Sequence, residues 1–332
     1  MKSVLKALLT ATSVCMMFAG TASAQTKVVI GHFGDPAPYK AAVADGRLEK
    51  ATGWTIEWRK FNSGAEVNAA MASGGIVISE IGSVPLSAGA SSGLDYQLVS
   101  VGKSIVTSES LITRNGAGID KPADLKGKKV AVPIGSTAHF SLMGALKTFG
   151  LTEKDVQIIG MSPPEIAAAW SQNAIDAAFV WNPVQAKLRE NGKALITAGE
   201  VAKAGFPTFN GWVVNTKFGA DNRAGVVNFL KVMNEVNGQY TKNKAAWTAD
   251  SPQIKAIAAN VGSTPQDAVM ALDGASYPDG DAQMSPAWMG GGAATTMKAT
   301  ADFLKGAGRI NTAADSYSKF VNPDFAKAAA GK

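Results

Sequence analysis

The run Gly135-Ser136-Thr137-Ala138-His139 follows an apolar, β-branched stretch and opens a segment of helical spacing. Ser136 and Thr137 are residue types that cap a helix by accepting hydrogen bonds from its first N–H groups. Those free N–H groups and the positive end of the helix dipole form a site for a small anion. The same residues also serve as an ordinary cap. Gly82-Ser83 brings a second hydroxyl and N–H cluster, although Ser83 alone is equally a turn residue. Trp181 ends an apolar run and can wall a pocket or fill a core. Glu109 precedes the apolar Ser110-Leu111-Ile112-Thr113, so its carboxylate faces either solvent or a cationic ligand group.

Catalytic motifs find little support. Gly89-Ala90-Ser91-Ser92-Gly93 matches G-x-S-x-G, but it follows a helical stretch and precedes a strand, the reverse of a nucleophile elbow. It reads as a helix-ending turn. There is no P-loop, no H-E-x-x-H, and Gly116-Ala117-Gly118 lacks the third glycine of a dinucleotide fingerprint. One cysteine and two histidines in 332 residues exclude a disulfide framework and disfavour a multi-histidine metal centre. His32 and His139 could share a site, but no nucleophile is paired with either. The formal charge of +6 is modest for this length and does not indicate a nucleic-acid binder.

These residues need a scaffold, and the apolar pattern supplies one. Lys2 and Lys6 precede an apolar run over 7–18, then Ala22-Ser23-Ala24, which reads as a signal peptide cut after Ala24. Removal of this leader takes away the only cysteine, Cys15, and leaves 30 basic against 26 acidic residues, net +4. Strands are expected at 27–30, 55–59, 76–78, 95–101, 109–113, 129–133, 156–159 and 177–180. Helices are expected at 40–51, 65–73, 120–125, 137–149 and 165–173, with mostly helix after 222 and a loop at 279–292. Alternating strands and helices imply an α/β fold with largely parallel sheets. A near-repeat supports two similar lobes facing one cleft. Residues 69–85 and 167–183 each read as helix, tight turn, strand and Pro-containing loop, with ligands expected at the strand ends.

Several segments also carry a family resemblance. Glu57-Trp58-Arg59-Lys60-Phe61-Asn62-Ser63-Gly64-Ala65, Ile81-Gly82-Ser83-Val84-Pro85-Leu86, Ser136-Thr137-Ala138-His139-Phe140-Ser141-Leu142, Pro163-Pro164, Val180-Trp181 and Trp212-Val213-Val214 resemble segments of taurine-binding proteins of ABC importers. The resemblance runs in order over about residues 27–220 and continues more weakly to Phe320. It implies a two-lobed, type II periplasmic-binding-protein fold, each lobe a mostly parallel sheet flanked by helices. Lobe 1 would comprise 25–110 and 214–332, and lobe 2 would comprise 111–213. It also implies a non-enzymatic, cofactor-free, monomeric periplasmic protein that captures taurine or a related sulfonate for an importer permease and its ATPase.

Carried over residue by residue, the resemblance seats the sulfonate among Ser83, Ser136, Thr137 and His139. It sets the amine at Glu109 and closes Trp181 over the ethylene unit. Two departures matter. The family usually has Asp two residues before the W-V-V Trp, where this chain has Asn210; and the family's acid-Pro near the first strand falls at Ala37-Pro38, with Asp35-Pro36 two residues earlier. Asn210 still accepts hydrogen bonds but lacks the charge that favours an ammonium. Alternatives are an alkanesulfonate, a sulfate ester, or a thiamine-pyrimidine precursor stacked on Phe33, Trp181 and Trp212.

Overall fold

The computed structural model describes residues 26–332, so the expected leader and its cleavage site lie outside the described residues. Two sheets organise the chain. The first contains β1 (Lys27–His32), β2 (Thr55–Lys60), β3 (Ile78–Gly82), β4 (Tyr96–Ile105), β10 (Phe209–Asn215) and β11 (Ala275–Ser276), in the order β11-β4-β10-β3-β1-β2. The second contains β5 (Glu109–Arg114), β6 (Lys129–Val132), β7 (Gln157–Gly160), β8 (Ala177–Trp181) and β9 (Gly192–Thr197), in the order β7-β6-β8-β5-β9.

The two-lobed α/β architecture is as expected, but the sheets are mixed rather than mostly parallel. In the first, β1 runs parallel to β2 and β3, while β10 is antiparallel to β3 and β4. In the second, β6 runs parallel to β7 and β8, while β5 is antiparallel to β8 and β9. The reason is strand exchange. The chain leaves the first sheet after β4 to begin the second with β5, and returns after β9 to insert β10 between β3 and β4. A lobe boundary at 213 would cut through β10, so the return to the first sheet falls ahead of Phe209. One crossover is held tightly: the N–H groups of Val106, Thr107 and Ser108 all donate to the Gly274 carbonyl, at 3.2, 2.8 and 2.9 Å.

The near-repeat is real in the fold. Helix α3 (Gly64–Ala72) leads into β3, then into α4 (Ser83–Ser91); α6 (Pro163–Ser171) leads into β8 and then a helix at Val184–Arg189. The G-x-S-x-G run ends α4, with Gly93 in the left-handed region at φ +79°. Other expectations shift. The helix expected over 40–51 is two helices, α1 (Tyr39–Ala44) and α2 (Arg47–Thr52), broken at Gly46 with φ +69°. The strand expected at 76–78 begins only at Ile78. The expected loop at 279–292 holds a helical turn, Gly280–Gln283. Its buried Gln283 accepts from Val101 N and donates to Val101 O, at 3.0 and 2.6 Å, as a neighbouring strand would.

Apolar faces pack on both sides of each sheet, with Ile30, Trp212 and Phe229 on one side of the first and Ile81, Leu98 and Phe209 on the other. Val84, Phe140 and Leu304, backed by Phe206 and Phe303, form a smaller cluster that joins elements of both lobes. No helix among the described residues is long and apolar enough to cross a membrane.

Candidate ligand-binding site

One pocket, with about 540 Å³ of space free of protein atoms, lies where the two lobes meet. Parallel strands deliver residues to it at their carboxyl ends. Phe33 and Asp35 follow β1, Gly82 ends β3, Ser136 and Thr137 follow β6, and Trp181 and Asn182 close β8. Lys103 on β4, Ser108 in the crossover, Glu109 at the start of β5 and Asn210 on β10 complete it. Thus the exchanged strands and their neighbours carry Lys103, Glu109 and Asn210, while Asp35 comes from the end of β1.

Helix α5 (Thr137–Thr148) opens as expected. Ser136 is its N-cap, accepting from His139 N at 3.1 Å and donating to Pro133 O at 2.6 Å. That hydroxyl is committed, so an anion at this end would meet the first-turn N–H groups of α5, which lack intrahelical partners. Ser108, absent from the sequence reading, adds a buried hydroxyl without a partner. Asn182 adds a side-chain amide whose oxygen accepts from Ala186 N at 3.1 Å, leaving its NH₂ as a donor.

Two expected residues stay out of the pocket. Ser83 is fully buried, and its hydroxyl accepts from Phe209 N at 3.3 Å, which ties α4 to the start of β10. The His139 ring turns back along its own helix to accept from Gly135 N at 3.3 Å; neither residue lines the cavity. Trp212 is also a core residue, packed edge-on against Tyr39 and Phe229.

The pocket is also rich in acceptors. Glu109 Oε1 accepts from the Thr137 hydroxyl at 2.6 Å, and Oε2 is buried without a partner. Burial pushes the Glu109 carboxyl up to about 7; the Thr137 hydrogen bond only partly opposes this. Asp35 Oδ2 accepts from Lys103 Nζ, and its Oδ1 is likewise buried and unpartnered. Lys103 is an unforeseen member of the site, fully enclosed. Burial alone would lower its pKa, but Asp35 and Glu80 more than offset this and hold it above the ordinary lysine value. Behind them, Glu80 Oε1 accepts from Asn210 Nδ2 at 2.8 Å and lies 3.7 Å from Lys103 Nζ, while Oε2 accepts from the Tyr39 hydroxyl at 3.3 Å. Burial and the Asp35 charge raise the Glu80 pKa, and Lys103 and Asn210 pull against them. Nothing in the sequence marked Lys103 or Glu80: each is a single charge within an apolar strand, and Glu80 falls just ahead of the 81–86 segment.

The aromatic rings close the cavity. Phe33 and Trp181 face each other across the lobes with centroids 6.4 Å apart. Gly82 allows the lobes to approach: a Cβ there would stand 2.9 Å from Thr137 Cγ2.

Donors and unpartnered carboxylate oxygens lining one pocket between two α/β lobes define a solute-binding protein of the periplasmic-binding-protein fold. Residues 62–243 match the family described as NMT1/THI5 like, and the chain belongs to that family. It is 34% identical over 298 residues to the taurine-binding periplasmic protein of Escherichia coli strain K12, covering 90% of this chain and 92% of that protein. In fold it is similar to the alkanesulfonate-binding protein SsuA from Xanthomonas axonopodis pv. citri bound to MOPS. That likeness has a TM-score of 0.72 and 20% identity, over 86% of this chain and 94% of that one. The desulfurization enzyme DSZB shares the fold at a TM-score of 0.65 and 13% identity, over 92% of this chain and 99% of that one.

Proposed function

We infer that this protein captures taurine, 2-aminoethanesulfonate, or a closely related sulfonate, and delivers it to an ABC importer permease driven by its ATPase. The observation that carries the reading is the presence of donors and unpartnered carboxylate oxygens in one pocket. Helix N–H groups, Ser108 and Asn182 supply donors for a sulfonate, while Asp35 Oδ1 and Glu109 Oε2 supply acceptors for an ammonium. Charge-assisted hydrogen bonds in a desolvated cleft then hold the ligand, with Phe33 and Trp181 over its short carbon chain. Closure of the lobes is the signal that the permease reads. The likeness to a taurine-binding periplasmic protein along nearly the whole chain supports binding without turnover. It also supports export to the periplasm, and we place the cleavage after Ala24 on the Ala22-Ser23-Ala24 pattern. We place the protein in the periplasm as a monomer.

The spacing of Phe33 and Trp181 counts against a stacked pyrimidine, since rings in mutual contact leave no slot for a third between them. A thermal-shift panel tests the reading with 2-aminoethanesulfonate, simple alkanesulfonates, a sulfate ester and a thiamine-type pyrimidine. A ligand at 100 times its Kd stabilises by about 2.7 kcal/mol. No shift with any sulfur compound at millimolar concentration refutes it.

A further inference from the structure

Asn210 lines the pocket, and one N–H of its amide nitrogen is committed behind it. It donates to Glu80 Oε1 at 2.8 Å. Asn210 Oδ1 therefore points the other way, 3.5 Å from the position a Cβ would take on Gly82, which lines the pocket. Glu80 itself does not line that pocket. It is almost wholly buried, and its oxygens meet an amide N–H, the Lys103 ammonium and the Tyr39 hydroxyl. This donor set suits a carboxylate and fixes which end of the Asn210 amide it takes.

We propose that Glu80 is a positioning residue that determines ligand choice. By holding the Asn210 amide nitrogen on β10, it presents the Asn210 carbonyl oxygen to the pocket as a third acceptor beside Asp35 Oδ1 and Glu109 Oε2. Three oxygen acceptors match the three N–H donors of a primary ammonium. Turned over, the same side chain would offer two donors and repel that group. A carboxylate one strand behind the pocket thus makes a neutral Asn serve a cation. The inference rests on the ligand reading above and names how its cationic end is selected.

The test is the ratio of affinities for 2-aminoethanesulfonate and ethanesulfonate, measured by titration calorimetry. Glu80→Gln retains a carbonyl that can accept from Asn210 and Lys103, and should keep the ratio within about threefold of the wild type. Glu80→Leu frees the Asn210 amide. It should reduce the ratio about tenfold or more, the worth of a hydrogen bond to a charged group, while ethanesulfonate affinity changes little. An unchanged ratio in Glu80→Leu, or an equal loss for both ligands, overturns the proposal. So does a Glu80→Gln variant that loses the ratio as fully as Glu80→Leu. If Glu80→Leu does not fold, the double variant Glu80→Gln, Asn210→Asp decides. It places a charged acceptor directly at the pocket and should raise the ratio; no increase overturns the proposal. A wild-type protein that binds neither sulfonate refutes the ligand reading, and this inference falls with it. Binding of both by the wild type with variant ratios unchanged refutes this inference alone.

Discussion

Lowering the pH from 8 to 5 should weaken binding of 2-aminoethanesulfonate about 100-fold. Glu109 is fully enclosed, its Oε1 takes the Thr137 hydroxyl, and its Oε2 awaits a partner. The groups that bear on it are Asp35 and Lys103, and these neutralise each other in a buried pair. With no cation of its own, the carboxyl is raised by burial to about 7. An ammonium seated on Oε2 needs the ionised form, so the ligand must expel a proton whenever the pH lies below that value. Affinity should then be nearly level above pH 7 and fall towards tenfold per unit below it. By pH 5 the loss is about 100-fold, or roughly 2.7 kcal/mol. The bound ammonium lowers the Glu109 pKa, which favours the ionised form in the complex. Calorimetry at several pH values, in buffers of different ionisation enthalpy, reads both the affinity and the proton released. Ethanesulfonate brings no cation and should release none, and Glu109→Gln should abolish the slope. A level affinity between pH 5 and 8, or the same slope in Glu109→Gln, would refute the reasoning.

Ser136→Ala removes the cap on His139 N and should cost about 1 kcal/mol in chemical denaturation, with weaker sulfonate binding by calorimetry. Gly82→Ala puts a Cβ 2.9 Å from Thr137 Cγ2; by overpacking it should weaken ligand binding by about 1–3 kcal/mol while leaving circular dichroism of the free protein unchanged. Lys103→Met strands Asp35 and Glu80 as buried carboxylates and should destabilise by about 3–5 kcal/mol at pH 8. Burial already raises the Glu80 pKa, so Glu80 can take up a proton in the folded variant and the deficit should shrink at pH 5, which denaturation at both values checks.

Much of the frame was legible in the chain because it is written in local patterns. The 130–132 run, the cap at Ser136 and the helix behind it are a strand end, a hydroxyl and an apolar period within one stretch. The structure places them as read. The repeat of helix, turn and strand likewise predicted two lobes and the strand ends that face the cleft. Patterns of this kind are set by backbone geometry and the spacing of apolar residues over a few turns.

What tertiary structure decided is how distant segments meet. Direction in a sheet is not written in a strand's own residues, so the insertion of β10 between β3 and β4, and with it the mixed sheets, followed only from packing. That insertion puts Asn210 beside Glu80, 130 positions away in sequence, and β4 carries Lys103 to Asp35, 68 positions away. A buried charge is tolerable only when its partners are supplied in space, and no local signal announces where they come from. The same packing turned Ser83 and His139 from ligand contacts into supports, since a hydroxyl or ring at a helix start bonds whichever backbone group the neighbouring strand or loop brings near. The sequence alone determined the two lobes and the capped start of α5; the fold decided which residues line the pocket, because that lining is assembled across strands.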